Sequence, residues 1–389
     1  MRSGRLRLLP LLALAALLLV RCGWPPARSA PVLSSPVAAQ LRPSMLITVP
    51  PSTPIDGMAI GDGLFAWSED GTRSTTPAIH LYDLRTHRSR VLSPTQHRGR
   101  SFAIGNLRVN SHWLAWVEIY TVSGSSWAIH ALNLRSGEQL LVDSTLHEHF
   151  PRYPSLSLSD ANISLGGDTL AWTARRYMDG ARVHSTVMAE DLATQKRTVV
   201  ADLYEDGKSG FFMWPATNGR YVAWVHALAA TQETDRVDLY DLRAHRTVAL
   251  PHHASTSQPA MDGDYQGGDY LAWKQGSDFG LGQGVVLYNL RNGSSRFLPG
   301  ASAGLPQLGA GLLGYHSQEK GWIYLYDLRS REHFILKEKQ SVLPSGEVFV
   351  GLHLGGDDIA LSGFFVNKYY AQFGLFHLSP AHPFYDLYH

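Results

Sequence analysis

Gly219-Arg-Tyr-Val-Ala-Trp224, then Asp238-Leu-Tyr-Asp-Leu242, then Arg246-Thr-Val-Ala-Leu250 is the stretch that decides the fold. Each piece is a short run of β-favouring residues, and turn-forming residues separate the pieces. The first run opens on a glycine turn, and the last two are joined by Arg243-Ala-His245. Read as strands B, C and D, they make an antiparallel meander.

The same unit recurs along the chain. Strand B returns as Leu64-Phe-Ala-Trp67, Trp113-Leu-Ala-Trp116, Thr169-Leu-Ala-Trp172 and Tyr270-Leu-Ala-Trp273, with degenerate copies Leu312-Leu-Gly-Tyr315 and Asp358-Ile-Ala-Leu361. Strand C returns around Asp83, Asn133, Asp191, Asn289 and Asp327, and as Leu375-Phe-His-Leu378. Successive Trp67-type positions are 49, 56, 52, 49, 42 and 46 residues apart. A period near 49 with several short strands per unit is the signature of propeller blades. The expected architecture is all-β: a seven-bladed propeller of four-stranded blades, or six blades if the two degenerate copies are misread. Strand A precedes each Gly-Asp turn, as in Ser155–Ser159 with Asn162–Leu165. Met45–Val49 is a lone β-run without a unit of its own. It is expected to complete the last blade as its outer strand and so close the ring.

Alternation explains the composition of strand B. Leu170 and Trp172 face one side and Ala171 the other. Both faces are apolar because each blade is covered by its neighbours. Trp67, Trp116, Trp172, Trp224 and Trp273 are therefore read as structural blade core, with ligand stacking as the alternative. Phe211, Phe212 and Trp214 are read as blade-to-blade core as well.

Composition agrees with a large β-protein. Of 389 residues, 44% are hydrophobic and 17% charged, with 36 Gly and 10 Trp, which excludes a disordered chain and a coiled coil. Setting aside the five arginines of the first 30 residues takes the formal charge from +1 to −4. The body thus lacks the basic footprint of a nucleic-acid binder, and no nucleic-acid partner is expected.

The N-terminus pairs those arginines with an apolar run from Leu8 to Val20, the pattern of an export signal over residues 1–29. Thirteen residues rise about 20 Å as a helix, short of a bilayer core. Membrane contact is expected only through this signal or a lipid anchor. Residues 30–43 are rich in Pro, Ala and Ser and read as an extended, unpacked tether. The propeller is assigned to 44–380 and a tail to 381–389. The only cysteine, Cys22, follows the apolar run, so no disulfide forms within one chain. Leu19-Val20-Arg21-Cys22 resembles the lipobox of bacterial lipoproteins, which implies lipidation at Cys22. Arg21 departs from the small residue that this family places before its cysteine.

The blade unit resembles the WD40-like repeat of TolB-type propellers: a turn, an Ile-Ala-Phe-like strand, then Ile-Tyr-x-x-Asp-Leu. The matching residues include Gly219–Trp224 with Asp238–Leu242, and Trp322-Ile-Tyr-Leu-Tyr-Asp-Leu328. The resemblance covers about 330 residues and implies the blade, not a function. Gly-Gly-Asp or Asn-Gly replaces Pro-Asp-Gly, Trp replaces Phe, and the extra N-terminal domain of TolB is absent. The Gly-His and Trp-Asp marks of true WD40 repeats are missing.

Loop length separates the two ends of the ring. The A–B and C–D turns are short, whereas the B–C segments 68–77, 118–127, 173–183, 226–236, 274–284 and 362–373 and the D–A segments 143–154, 202–214 and 252–266 are long. Long loops on a rigid ring are where binding is expected. The candidate ligand-binding residues there are Arg175, Arg176, Tyr177 and Asp179, a polar loop whose guanidinium pair suits a carboxylate or phosphate. With them go Asp278, and Phe364, Phe365, Lys368, Tyr369 and Tyr370 as a docking lip. Solvated loops, or packing at the channel mouth, are the plainer readings.

No catalytic motif stands out. His147, His149, His252 and His253 lack the spacing of a zinc site, so no metal and no cofactor are expected. There is no Gly-x-Ser-x-Gly elbow, Walker loop or dinucleotide fingerprint. The leading expectation is an exported, monomeric propeller that binds a protein, peptide or polysaccharide of the cell envelope through its long-loop face. The alternative is a propeller hydrolase or lyase acting on glycans or peptides.

Overall fold

The computed structural model describes residues 37–38, 45–49, 55–69, 77–93, 102–120, 126–145, 161–177, 183–205, 210–227, 236–251, 256–261, 270–275, 284–299, 306–309, 311–317, 322–336, 348–355, 358–364 and 371–377. All belong to the unit Val37–His389. Among them there is no helix, and none therefore long and apolar enough to cross a membrane.

Two strands precede the repeats, β1 (Val37–Ala38) and β2 (Met45–Val49). The first blade is β3 (Ile55–Gly61), β4 (Leu64–Glu69), β5 (Ala78–Asp83) and β6 (Arg88–Leu92). The second is β7 (Phe102–Val109), β8 (Trp113–Tyr120), β9 (Ser126–Asn133) and β10 (Gln139–Ser144). The third is β11 (Asn162–Gly166), β12 (Thr169–Tyr177), β13 (Val183–Asp191) and β14 (Lys196–Glu205). The fourth is β15 (Phe211–Thr217), β16 (Tyr221–Ala227), β17 (Arg236–Asp241) and β18 (Arg246–Val248). The fifth is β19 (Thr256–Met261), β20 (Tyr270–Gln275), β21 (Gly284–Asn289) and β22 (Ser295–Pro299). Then follow β23 (Gln307–Gly309), β24 (Leu312–Ser317), β25 (Trp322–Asp327) and β26 (His333–Leu336), and last β27 (Val348–Gly355), β28 (Asp358–Phe364) and β29 (Ala371–His377).

Each set is one antiparallel sheet in chain order; six sheets have four strands, and the one holding β23 to β26 gains β1 as a fifth. The strands β3, β7, β11, β15, β19, β23 and β27 touch in succession, and β27 touches β3. They are the inner strands of a closed β-propeller. Strand β2 pairs antiparallel with β29, Met45 opposite Leu375 and Val49 opposite Ala371, and completes the last sheet. The segment read as an unpacked tether differs from that reading: Val37 and Ala38 pair in parallel with Phe334 and Ile335 on the outer edge of β26. That edge offers a row of free backbone groups, which an extended segment can satisfy.

Alternation along strand B sets the packing between blades. Ala66 meets Leu114 and Trp116 of the next sheet. Ala115 likewise meets Leu170 and Trp172, Ala171 meets Val222 and Trp224, Ala223 meets Leu271 and Trp273, and Ala272 meets Leu313 and Tyr315. A large face on each sheet fills the space left by a small face on the one before. Each indole removes about 150–250 Å² from water, roughly 4–6 kcal/mol before the entropy of fixing it. Trp67, Trp116, Trp172, Trp224 and Trp273 are all buried. Phe212 is buried too, with Phe211 and Trp214 packed partly against the neighbouring cluster.

The repeated Asp or Asn of strand C is a turn cap. Asp83 accepts the N–H groups of Arg85 and Thr86. Asn133 does so for Arg135 and Ser136, Asp241 for Arg243 and Ala244, Asn289 for Arg291 and Asn292, and Asp327 for Arg329 and Ser330. Such Asx turns satisfy backbone donors that a tight hairpin would otherwise leave unpaired. Burial alone would raise the Asp241 carboxyl, but the Ala244 N–H, the Arg220 guanidinium and the Arg243 N–H together bring it below the ordinary value.

Candidate functional site

The two ends of the ring differ in construction. At the short-turn end, the A–B turns of the first four blades bind one another in succession. Asp62 accepts the Ser111 N–H and hydroxyl at 3.0 and 2.9 Å. Asn110 donates to Gly167 O at 2.8 Å. Asp168 accepts the Trp113 indole N–H at 2.9 Å, and Thr169 donates to Gly219 O at 3.3 Å. Gly61 is required here because a Cβ would lie 2.2 Å from Val109 O. From the first blade to the fourth, this end is laced turn to turn.

The opposite end carries the connections between strands B and C and between D and A. Strands run further into them than the sequence predicts: β8 reaches Tyr120, β12 reaches Tyr177 and β14 reaches Glu205. Arg175, Arg176 and Tyr177 thus lie on a strand and not in a loop. The two guanidinium groups do not form an open pair either, because alternation sends them to opposite faces of the sheet.

Arg176 faces the second blade. It pairs with Asp143, which also accepts the Trp172 indole N–H at 2.8 Å. The Arg176 guanidinium lies 5.5 Å from the Trp127 ring. A register shift between Leu141 and Asp143 on β10 brings that carboxylate toward the third blade. Arg175 faces the fourth blade. It grips both oxygens of Glu205 at 2.7 and 2.5 Å and lies over the Phe211 ring at 4.5 Å. A two-pronged pair of this kind fixes geometry as well as charge. On the same end, His184 stacks on Tyr204 at 4.6 Å and reaches Asp202 at 3.5 Å.

A second polar cluster lies between the first two blades. Glu118 is fully buried, and its carboxylate accepts the Tyr120 hydroxyl at 2.5 Å and the Trp116 indole N–H at 3.3 Å. His130 lies 3.3 Å away, stacked on Trp116. Burial alone would raise this carboxyl; His130, then Tyr120 and Trp116, outweigh it and hold Glu118 below the ordinary value. The first blade repeats the arrangement with Glu69, His80 and Trp67. The signal was present in the sequence as Trp-x-Glu on strand B facing a histidine on strand C, and sequence reasoning passed over it.

Sequence reasoning also missed Arg108, on the inner strand β7 beside a bulge at Asn106. The bulge turns Asn106 to donate to Ala161 O of the next blade.

Among the expected ligand-binding residues, Phe364 ends β28. Asp179, Asp278, Phe365, Lys368, Tyr369 and Tyr370 lie outside the described residues, as do Cys22 and His147, His149, His252 and His253. Among the described residues, no group of three His, Cys, Asp or Glu side chains is placed to hold a metal ion.

No family model matches this chain. No curated protein matches it either. Solved structures do. Acylaminoacyl peptidase from Pyrococcus horikoshii superposes with a TM-score of 0.53 at 9% identity, over 80% of this chain and 49% of that one. The β-propeller domain of the Trilobed protease from Pyrococcus furiosus gives 0.50 at 9% identity, over 81% and 93%. An oligogalacturonate lyase in complex with manganese gives 0.52 at 12% identity, over 89% and 99%. The chain spans about half the length of the acylaminoacyl peptidases it matches. At these identities the likeness is one of fold: these neighbours are propellers, and so is this chain.

Proposed function

We propose that this chain is an exported binding protein of the cell envelope, a monomeric propeller of TolB-like, WD40-like repeats held at its N-terminus by a signal or lipid anchor. It recognises a protein, peptide or envelope polymer through the end that carries the B–C and D–A connections. One observation carries this reading. The short-turn end is tied turn to turn from the first blade to the fourth, whereas the strands at the other end are braced across blades by Arg176–Asp143 and, through Phe211, by Arg175–Glu205. A rigid rim beneath variable connections is what a recognition surface needs.

The test uses the whole exported chain, immobilised and exposed separately to envelope protein, peptide and polysaccharide fractions. Replacing 178–182 and 365–370 by short Gly-Ser links abolishes retention of the bound fraction, while changing the C–D turn at Arg135 leaves it intact. Equal retention by the loop-replaced chain overturns the proposal.

The second reading is a hydrolase or lyase acting on glycans or peptides. It draws on the peptidases and the lyase among the fold neighbours and on the His184–Asp202 pair at the same end. Turnover of a glycan or peptide that is lost in His184→Ala favours it over simple binding.

A further inference from the structure

We propose that Arg108 is the anchor of an anion site on the axis of the ring, one that takes a carboxylate group. The inference is independent of the long-loop reading, because Arg108 lies toward the short-turn end of its strand: two residues on, Asn110 donates its N–H to Trp113 O where the A–B turn closes.

Arg108 is on β7, an inner strand that touches the inner strands β3 and β11 on either side. It is half-buried, and its removal from water pulls its pKa below the ordinary arginine value. Among the described residues its one hydrogen bond runs from Nη1 to the carbonyl of the adjacent Leu107, at 2.6 Å. A guanidinium carries five N–H donors, so most of its capacity is unused. Buried charges are ordinarily paired, because an unpaired one costs several kcal/mol.

The neighbouring inner strands supply no counter-charge at this level. Among the seven of them, Arg108 is the only Lys or Arg and Asp56 the only acid. Ala59 pairs with Ala66 in the first blade as Arg108 does with Ala115 in the second, so Ala59 is level with Arg108. Asp56 is three residues further back, roughly 10 Å along the strand. A lone cation inside low-dielectric walls draws anions. One positive charge balances one negative charge, and the planar fork matches two oxygens of a carboxylate. A phosphate dianion would leave a charge unmatched.

The probes are acetate, succinate and inorganic phosphate, each titrated into the full chain at constant ionic strength while the unfolding midpoint is followed. Acetate and succinate raise the midpoint of the native chain in a saturable way, by about 2 °C at ten times the dissociation constant. Phosphate raises it less. Arg108→Met folds, as judged by circular dichroism, with an unliganded midpoint no lower than the native chain's, and shows no carboxylate-dependent rise. Arg108→Lys keeps the charge but loses the fork, and binds at least about tenfold more weakly. No saturable rise in the native chain, or an undiminished rise in either folded variant, overturns the proposal. A rise with phosphate equal to that with acetate overturns the carboxylate assignment.

Discussion

Trp172 of the third blade donates its indole N–H to Asp143 of the second at 2.8 Å, and Arg176 binds the same carboxylate. A single acid therefore holds a fully buried indole and a partly buried guanidinium across a blade interface. Arg197, stacked 5.1 Å over the Trp172 ring, adds a hydrogen bond to Val142 O on the same outer strand. Replacing Asp143 with Ala strands both donors and costs about 3 kcal/mol, read as a lower urea midpoint with an unchanged slope. Asp143→Asn keeps an acceptor for the indole and costs less. Equal losses for the two would mean that the charge carries the whole effect.

Acid weakens the fold through identifiable carboxyls. Asp83, Glu118 and Asp241 all have their pKa below the ordinary value in the folded chain. Each contribution is complete above the unfolded carboxylate pKa, about 4, and is lost as pH falls through the lower folded value. Urea midpoints should stay level from neutrality to about pH 5 as far as these groups are concerned, and then fall. Glu118→Gln lowers the neutral midpoint and makes the acid slope shallower. A variant with the native slope would show that Glu118 is not among the groups responsible.

Glycines at two turns answer different constraints. A Cβ at Gly61 lies 2.2 Å from Val109 O, a clash with backbone that moves only if two blades part. Gly137 has φ of +77° but nothing within 4 Å of an added Cβ. Gly137→Ala thus costs about 1 kcal/mol of backbone strain, and Gly61→Ala costs more than twice that. Thermal midpoints of the two variants give the order directly.

Tyr315 stands where five other blades place a tryptophan. It is buried, stacked on Tyr324 at 5.2 Å, and its hydroxyl has no partner among the described residues. Burial pushes its pKa well above that of a free phenol. Removing an unsatisfied hydroxyl relieves a desolvation cost, so Tyr315→Phe is neutral or stabilising. A loss of about 1 kcal/mol or more in chemical denaturation would reveal a partner for that oxygen.

The fold was legible because its signal is repeated and chemical. Trp and Ala alternate on strand B because the first five blades bury both faces of it, and Asp or Asn recurs on strand C because those hairpins have the same N–H groups to cap. The site was less legible because its contacts cross between blades or skip a strand within one. Nothing local in Thr-Leu-Ala-Trp-Thr-Ala-Arg-Arg-Tyr, residues 169–177, tells that Arg175 is met by Glu205 and Arg176 by Asp143. Polar residues beyond a strand motif look like loop, yet here they extend the strand because carboxylates on other strands receive them. Arg108 gave no pattern at all: one arginine in an apolar run reads as an exception until the ring shows that its strand is innermost.

The pairing of β2 with β29 joins residues as far apart as Met45 and Leu375. Contacts this distant in sequence form slowly, since most of the chain must already be ordered before they can be made. Synthesis delivers β2 near the start and its partner near the finish. The early strand must wait, unpaired, through most of translation, and a polypeptide halted shortly before Ala371 would keep that strand without its mate and leave the flank of β28 bare, inviting strand exchange between molecules.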